Sequence, residues 1–561
     1  MKKEYLAKYE KGGFVIQIST DDYMDNKFIL SSLGGIWTTS LDGETKTTKL
    51  PFEAIVYINK KTNLHFSFED FVVEALNQKS PEIRFVRKPF PHQVDALNYL
   101  YRWSSAPLLL SMGTGKTKIV LDLFKARKKS HQVNKLLVIC PISCIQVWED
   151  EAKQEKLTSI NLRGKSSHEI DTFLEGDWDV YILNYDLLKR FFNIIKQKNG
   201  KESFFLRMPD YLRKNFMLVY DESTKIKDHK SKRTKYALKL AESIRFKNIL
   251  TGTLIGNTLE DVWSQISVVS KVFYNNYTKL HSWWSWLNYF FYTNKYTHKS
   301  KPKSIIKEDY INYATTVKAF TFTIDELHLP PKIYNKRYVE LSKEQQKHYM
   351  KVKNDLYTEL EEGTLTVANV AIKLNKLEQI TSGLLYLYDD SGNRKTHFFK
   401  NNPKLDELVD VLGELDKNKK YIIWHAFIEE GVMIQKKLES VGYKNVIFLR
   451  KGADFNQKEF NSYKGQLIVI ANTRMIGYGN TLKGVEHVFY YSNDWSYLNR
   501  EQSEARTQRI GIQNSCNYID LIARINNKPI IDEYILSVIK HKRDLDNIVR
   551  EYGLKRVLDV V

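Results

Sequence analysis

The sequence predicts an α/β protein with two parallel-sheet lobes, helical insertions and a small β-rich module at the N-terminus. Over residues 85–270, short apolar runs of strand length alternate with amphipathic segments of helical length, a pattern typical of parallel α/β sheets. The same alternation returns over residues 419–545, after a mostly helical stretch that is rich in Tyr, Trp and Lys. Two α/β stretches separated in this way predict two lobes with a cleft between them.

These changes of pattern predict the order of the domains. We expect an accessory module over residues 1–80, a first lobe over 85–272, helical protrusions and a linker over 273–415, and a second lobe with a C-terminal helix over 416–561. Within the module, runs rich in β-forming residues at 14–18, 34–39 and 54–58 are separated by turns and predict three strands. A chain of 561 residues is long enough for several such domains.

Apolar runs mark the strands of the two lobes, and they are nearly continuous, as in strands buried on both faces of a sheet. In the first lobe they cover residues 108–110, 136–140, 180–183, 216–220 and 248–250. In the second lobe they cover residues 421–424, 446–449, 467–471, 487–491 and 518–523.

The charge of the chain points to a polyanionic partner. Lys and Arg number 86 against 66 Asp and Glu, which gives a net charge of +20. Nucleic acid is the simplest partner for such an excess. The alternative is a biased composition, because Lys, Asn, Tyr and Ile are all abundant.

The cysteines and the hydropathy pattern exclude two classes of protein. Cys140, Cys144 and Cys516 have neither the number nor the spacing of a disulfide framework or a metal site, which indicates a reducing compartment. No apolar run approaches the length of a membrane span. We therefore expect a cytoplasmic or nucleoid-associated protein, or one of the host cytoplasm if the source is viral.

A glycine-rich turn between the first strand and the next helix predicts a phosphate site. Gly113 and Gly115 allow backbone N–H groups to close around phosphates, together with Thr114 and the start of the helix. Lys116 would reach the terminal phosphates and Thr117 would hold Mg²⁺. The match to the full P-loop pattern is partial, because Leu110 stands where its first glycine is expected.

Other strand ends carry groups that suit nucleotide hydrolysis. Asp221 follows an apolar strand and can hold Mg²⁺, and Glu222 beside it can polarise the attacking water. The segment 251–253, Thr-Gly-Thr, also follows a strand and could sense the γ-phosphate. Gln93, ahead of the first strand, could pair with the adenine edge or could lie at the surface.

Two arginines of the second lobe complete the predicted catalytic set. Arg506 and Arg509 are three residues apart, so both could point from one helical turn. Guanidinium groups there could neutralise charge that develops on the γ-phosphate.

The order of these motifs resembles the Swi/Snf-like branch of the superfamily-two helicase ATPases. Residues 221–228 resemble its DEAH-type box, residues 250–257 its LTGTPIQN motif, and Pro141, Trp148 and Glu151 its motif Ia. Residues 329–332 and 341–349 resemble the segment that joins its lobes. Residues 476–482 resemble motif V and residues 502–511 resemble motif VI, whose arginines act as fingers. The resemblance covers roughly residues 85–545.

The resemblance implies two RecA-like lobes that bind ATP and Mg²⁺ and move along DNA, duplex or forked. It implies catalytic roles for Lys116, Glu222, Arg506 and Arg509, and a nucleotide contact at Gly479. It also implies that contacts go mostly to phosphates, so binding should tolerate sequence and weaken with salt. The expected nucleic-acid contacts are Ser143, Asn184, Lys227, Lys230 and Arg233 of the first lobe, and His425, Thr473 and Arg474 of the second.

The chain departs from the branch at a few positions, and other functions stay open. Ser223 and Thr224 replace the common Ala-His, which affects how hydrolysis would be coupled to movement. Leu254 stands where proline is usual, and Ile512 where glutamine is usual. The sequence is also compatible with a strand-separating DNA or RNA helicase, or with an ATP-gated clamp that does not move.

Overall fold

The structure, a computed structural model, divides into two compact units between residues 324 and 325. Each unit is described by itself. The described residues are 3–10, 13–33, 36–50, 52–68, 83–196, 202–252, 254, 259–270, 282–293, 300–322, 329–361, 367–388, 393–450, 455–473, 482–508 and 514–540.

The first unit begins with a module whose five-stranded sheet has the order β3-β4-β2-β1-β5. Its neighbours are antiparallel except β1 and β5, which run parallel. The helices are Thr20–Asp25, Lys27–Ser32 and Phe52–Lys61. The strands are β1 (Lys3–Glu10), β2 (Gly13–Ser19), β3 (Thr38–Thr39), β4 (Thr45–Leu50) and β5 (Leu64–Phe68).

One predicted strand of the module was wrong. Residues 54–58 lie in the helix Phe52–Lys61, although Ile and Val there favour strands. Ala54, Ile55 and Ile58 are fully buried, at the i, i+1 and i+4 spacing that gives a helix one apolar face. Burial against the sheet therefore overrides local propensity. Of the predicted strand 34–39, only Thr38 and Thr39 form one, and residues 34 and 35 lie outside the described residues.

The module and the rest of the first unit share one hydrophobic core. The Tyr57 ring packs against Tyr310 with centroids 5.3 Å apart, and the Tyr57 hydroxyl donates to Asp309 at 3.0 Å. Glu53 is buried and forms an ion pair with Lys318 at 2.8 Å. The helix Phe52–Lys61 thus joins the module to the helix Ile305–Thr316.

The main sheet of the first unit is parallel in every described pairing and has the order β16-β6-β13-β12-β7-β9-β8. All five strands predicted for this lobe are present. The strands are β6 (Ser105–Leu110), β7 (Lys135–Cys140), β8 (Ser159–Asn161), β9 (Val180–Asn184), β12 (Phe216–Asp221), β13 (Phe246–Thr251) and β16 (Phe320–Phe322).

The remaining elements of this unit connect or flank the sheet. The chain forms two hairpins, β10 (Phe192–Lys196) with β11 (Glu202–Leu206) and β14 (Phe291–Thr293) with β15 (Ser300–Pro302). Short 3₁₀ helices cover Ile142–Cys144, Tyr185–Phe191, Ser223–Ile226 and Leu259–Asp261. The other helices are Pro91–Tyr101, Lys116–Lys129, Ile145–Gln154, Ser167–Glu175, Asp210–Asn215, Lys232–Ser243, Val262–Val269, Trp283–Phe290 and Ile305–Thr316.

The second unit contains a second sheet of parallel strands, in the order β17-β24-β23-β20-β22-β21. The five predicted strands overlap β20 to β24. The sequence analysis missed β17, which pairs with β24 over nine residues inside the segment expected to be linker. The strands are β17 (Lys332–Glu340), β20 (Lys420–His425), β21 (Val446–Phe448), β22 (Leu467–Asn472), β23 (Val485–Tyr490) and β24 (Cys516–Ile525), with the short β25 (Lys528–Pro529) antiparallel to β24.

A hairpin of β18 (Leu384–Tyr388) and β19 (Arg394–Phe398) and seven helices complete the described part of this unit. The α/β fold class with two parallel sheets is confirmed. Within the described ranges, the helices are all too short or too polar to cross a bilayer. The helices of the unit are Lys343–Glu361, Val367–Thr381, Pro403–Glu414, Ile428–Ser440, Gln457–Ser462 and Tyr497–Glu504, and a last one covers residues 531–540.

Candidate active site

The candidate site of the first unit lies at the carboxyl ends of three adjacent strands, β6, β13 and β12. Because these strands are parallel, their carboxyl ends meet at one edge of the sheet, where α/β proteins bind ligands. The glycine-rich loop follows Leu110 of β6, Thr251 ends β13, and Asp221 ends β12. The loop residue Lys116 and the strand residue Asp221, which are 105 positions apart in the chain, are therefore brought to one edge.

The loop after β6 adopts a conformation that requires glycine. Gly113 and Gly115 both have a φ of +82°, in the left-handed region that other residues rarely adopt. Gly115 also precedes the helix Lys116–Lys129 directly. A helix N-terminus presents unpaired backbone N–H groups and a positive potential, which suit an anion such as phosphate.

Three side chains from the segment ahead of β6 and from the loop itself hold the loop in place. His92 Nε2 donates to the Thr114 carbonyl at 2.9 Å, and Gln93 Nε2 donates to the same oxygen at 3.2 Å. The Thr114 hydroxyl donates to the Ser111 carbonyl at 2.8 Å. Gln93 is 4% exposed, so its side chain supports the loop rather than lying on the surface.

Lys116 reaches back across the loop. Its Nζ donates to the Leu110 carbonyl at 3.0 Å. Its positive charge also opposes the rise in the pKa of Asp221, and the loop that carries Lys116 lies at the same edge of the sheet as the end of β12. The predicted phosphate-binding lysine and the predicted metal-binding carboxylate therefore share one site.

Asp221 is buried, and each oxygen of its carboxylate accepts a hydrogen bond. Trp148 Nε1 donates to its Oδ2 and the Glu222 N–H donates to its Oδ1, each at 2.9 Å. Burial raises the pKa of Asp221, and the bond from Trp148 and the charge of Lys116 partly offset this effect. A carboxylate held in this way would gain from a cation nearby, which would relieve the cost of burying its charge.

Glu222 has a strained backbone. Its φ of +52° and ψ of +59° lie in the left-handed region, which is unusual for a residue with a side chain. Such strain costs on the order of 1–3 kcal/mol and clusters at functional sites. The Glu222 side chain is 8% exposed, so it is largely shielded from bulk water.

The predicted nucleic-acid contacts of the first unit differ in exposure. Lys230 is exposed and Ser143 is half-buried, whereas Asn184, the last residue of β9, is 4% exposed. Lys227 forms an ion pair with Asp261 at 3.2 Å. Arg233 forms an ion pair with Asp186 and lies near the surface. Lys227, Lys230 and Arg233 are therefore the basic side chains that a phosphate could reach.

In the second unit, the predicted residues that the structure describes are mostly buried. Arg506 is 3% exposed and Thr473 is 5% exposed. His425, at the end of β20, is 1% exposed, and its Nδ1 lies 2.8 Å from the Phe427 carbonyl. Burial lowers the pKa of His425 to about 4, so its ring is neutral at pH 7. Arg474, Gly479 and Arg509 lie outside the described residues.

Sequence reasoning missed several residues that organise these sites. His92 lies next to Gln93 but carries no motif of its own, and its ring stacks on Phe322 of β16 with centroids 4.3 Å apart. Arg500 forms ion pairs with Glu504 at 2.7 Å and with Asp520 at 2.6 Å, and it lies on the helix Tyr497–Glu504, which precedes Arg506 in the chain. Trp148 was noted only through the motif Ia resemblance, and its bond to Asp221 depends on tertiary contact.

Comparison with known families identifies the family of the chain. The SNF2-related domain matches residues 92–384. The chain belongs to the SNF2-related family. The helicase conserved C-terminal domain matches residues 403–511 of the same SNF2-related chain. The predicted Swi/Snf-like branch is thereby confirmed.

Individual relatives agree with this family. An uncharacterized ATP-dependent helicase of Mycoplasma genitalium is 25% identical over 77% of this chain and 39% of its own length. The human SWI/SNF-related matrix-associated actin-dependent regulator of chromatin subfamily A member 1 is 24% identical over 83% of this chain. The SNF2-related chain therefore spans less than half of the length of these two relatives, 39% and 44% respectively. A solved SWI2/SNF2 ATPase core of Sulfolobus solfataricus, in complex with dsDNA, covers 85% of this chain at 20% identity, with a TM-score of 0.37 and 96% of its own chain covered.

Proposed function

We propose that this chain is an ATP-dependent DNA motor, a Swi/Snf-like translocase that couples ATP hydrolysis to movement along duplex or forked DNA. The observation that carries the proposal is the meeting of the glycine loop, Lys116, Asp221 and Glu222 at one edge of the first sheet. A phosphate cradle alone indicates binding. A cradle beside a metal-binding carboxylate and a shielded glutamate supports hydrolysis.

The residues of this edge suit ATP with Mg²⁺. Loop N–H groups and the start of the helix Lys116–Lys129 would bind the phosphates, and Thr117 and Asp221 would hold Mg²⁺ through oxygen atoms, the ligands that this ion prefers. When bound, the ion would offset the negative charge of the phosphates. Lys116 would leave the Leu110 carbonyl to contact the terminal phosphates.

Glu222 would orient the attacking water and accept its proton. Its strained backbone fixes the carboxylate next to Asp221, and its low exposure keeps bulk water away. From the family resemblance, Arg506 and Arg509 would neutralise charge on the γ-phosphate, and Gly479 would contact the nucleotide.

DNA is the proposed track because of the charge and its location. The chain carries a net charge of +20, and Lys227, Lys230 and Arg233 lie 5 to 11 residues after Glu222 in the chain. Lys and Arg that contact phosphates give binding that tolerates sequence and falls with salt. A strand-separating DNA or RNA helicase uses the same chemistry and is the second candidate. We expect the protein to act in the cytoplasm or on the nucleoid, or in the host cytoplasm if it is viral.

The first experiment measures ATP binding and turnover of three variants. Lys116→Ala should lose ATP binding, whereas Lys129→Ala, which removes the same charge from the other end of the same helix, should bind and hydrolyse ATP normally. Glu222→Gln should bind ATP but turn over at least about 100-fold more slowly, because it lacks the base. Normal nucleotide affinity in Lys116→Ala would refute the site.

The second experiment identifies the track. ATP turnover is measured with single-stranded, duplex and forked DNA and with RNA, together with release of an annealed strand and of the third strand of a triplex. Third-strand release without unwinding supports a duplex translocase. Unwinding supports the helicase instead, and ATP binding without any turnover supports a clamp.

A further inference from the structure

Ser223 and Gln265 form a buried hydrogen bond beside the candidate catalytic glutamate. The Ser223 hydroxyl donates to Gln265 Oε1 at 2.7 Å, and both side chains are fully buried. Ser223 directly follows Glu222 and stands where the Swi/Snf-like branch commonly has alanine. The bond therefore involves a position at which this chain differs from its branch.

Gln265 uses both ends of its side-chain amide to join three segments. Besides accepting from Ser223, its Nε2 donates to the Leu254 carbonyl at 2.8 Å and to the Asp261 carbonyl at 2.9 Å. An amide that is bonded at both ends cannot rotate without leaving buried polar atoms unpaired, which is costly. The Gln265 side chain is therefore a fixed junction.

The junction lies between the glutamate and a basic residue near the surface. Asp261, whose carbonyl accepts from Gln265, pairs through its carboxylate with Lys227 at 3.2 Å. Ser264, on the same helix as Gln265, donates to the Lys227 carbonyl at 2.8 Å. Glu222 and Lys227 are thus both connected to one turn of the helix Val262–Val269.

We propose that Gln265 is a positioning residue for ATP hydrolysis, acting on Glu222 through Ser223. The amide holds the Ser223 hydroxyl, and with it the strained turn at Glu222, in a fixed position relative to the segment after β13 and to Lys227. The inference rests on the proposed function, because it assigns Gln265 a role in the hydrolysis proposed above.

The test is a double-mutant cycle on the full chain. Ser223→Ala removes the hydroxyl, Gln265→Leu removes the amide, and a double variant removes both. Ser267→Ala is the matched control, because its hydroxyl lies on the same helix and has no hydrogen-bond partner among the described residues. The DNA-stimulated kcat and the KM for ATP are measured below the melting temperature of each variant.

We expect each single variant to lower kcat about tenfold, which corresponds to about 1.4 kcal/mol of transition-state free energy, with little change in the KM for ATP. Ser223→Ala should have no further effect on kcat in the Gln265→Leu background, because the serine acts through the amide. Ser267→Ala should leave kcat unchanged. A merely structural junction would lower the melting temperature and leave the kcat of the folded protein unaltered.

The failures of the two proposals are distinguishable. A wild-type chain that binds ATP but hydrolyses none with any nucleic acid overturns the motor and this role together. An active wild type whose Gln265→Leu and Ser223→Ala variants keep a normal kcat overturns only the role of Gln265. Independent, additive losses from the two substitutions also overturn it, because they would show that the serine does not act through Gln265.

Discussion

Gly115 is a position in the candidate site that does not accommodate a side chain. Its φ is +82°, and a Cβ there would lie 2.3 Å from Gln93 Nε2. The glutamine is itself fixed by the Thr114 carbonyl and by the Phe90 N–H. A methyl group at residue 115 would therefore both strain the backbone and displace the side chain that supports the loop.

Gly115→Ala is expected to lower ATP affinity at least tenfold and to destabilise the first unit. Gly43→Ala is the matched control, because Gly43 has a similar φ of +77° but a Cβ there would meet nothing within 4 Å. In the control, the free energy of unfolding should fall only by the cost of placing alanine in the left-handed region, about 1–2 kcal/mol. Nucleotide titration and urea unfolding measure both effects, and equal losses in the two variants would contradict the role of Gln93.

At this scale, the sequence predicts the residues that act through local spacing. Gly113, Gly115 and Lys116 can be recognised in the sequence because one turn of the chain determines their geometry. Asp221 and Glu222 can be recognised because they stand at the end of an apolar run. His92, Trp148 and Gln265 are not readable as site residues. Their bonds join segments that are 22, 73 and 42 residues apart, and no local pattern encodes such a contact.

Among the elements, the helix Phe52–Lys61 shows why the sequence prediction of a strand was wrong. Its β-branched residues favour a strand, but the helix buries one face against the sheet and places Glu53 in its first turn, where the helix dipole favours a negative charge. Lys318 and Ser270 then bind the Glu53 carboxylate, each at 2.8 Å. Such tertiary partners are invisible in the sequence of the helix itself.

Glu53→Gln is expected to destabilise the first unit by about 3 kcal/mol at pH 7, because it leaves Lys318 without its buried partner. Glu242→Gln, which breaks the exposed pair with Lys239, is the control and should cost less than about 1 kcal/mol. Urea unfolding at several pH values measures both. Similar losses in the two variants would show that the Glu53 pair adds nothing to stability.

The pH dependence of this variant has a definite sign. Burial raises the pKa of Glu53, but the charge of Lys318 and the hydrogen bonds that the carboxylate accepts from Lys318, Ser270 and the Glu53 backbone together outweigh it, and the pKa lies below the ordinary 4.5. The stabilisation is therefore present above about pH 4.5 and is lost as the pH falls below it. The difference in unfolding free energy between wild type and Glu53→Gln should therefore shrink as the pH falls below about 4.5.

The predicted strands of the two sheets were recognisable as nearly continuous apolar runs. The strands β8 and β16, at the two edges of the first sheet, were not predicted, because neither is fully buried. The strand β17 was missed because its burial differs: within Lys332–Glu340, only Val339 is buried. A strand with one neighbour and an exposed surface has the composition of a linker. Its position is set by its pairing with β24 over nine residues, which is a long-range property of the chain.

For the molecule as a whole, the shared core of the first unit limits how its N-terminal module can act. The sequence predicts a separate accessory module over residues 1–80. In the structure, the buried side chains of that segment belong to the same hydrophobic cluster as those of the parallel sheet. Phe52 packs on Trp103 with centroids 5.5 Å apart, and Tyr57 packs on Tyr310. The module therefore contributes to the stability of the unit that holds the candidate ATP site.

Removal of residues 1–80 is accordingly expected to destabilise the remainder of the first unit by several kcal/mol and to lower ATP turnover. Tyr310 is 1% exposed in the full chain, and exposing a buried side chain of this size costs roughly 1.5–3 kcal/mol. Loss of the Glu53 pair would add to this cost.

Urea unfolding measures the loss of stability, and ATP turnover with and without DNA measures the loss of activity. Leu41→Ala, at a fully exposed position of the same module, is the control and should change neither. A shortened chain with unaltered stability and turnover, but a changed preference among DNA structures, would show instead that the module is an independent domain that recognises DNA structure.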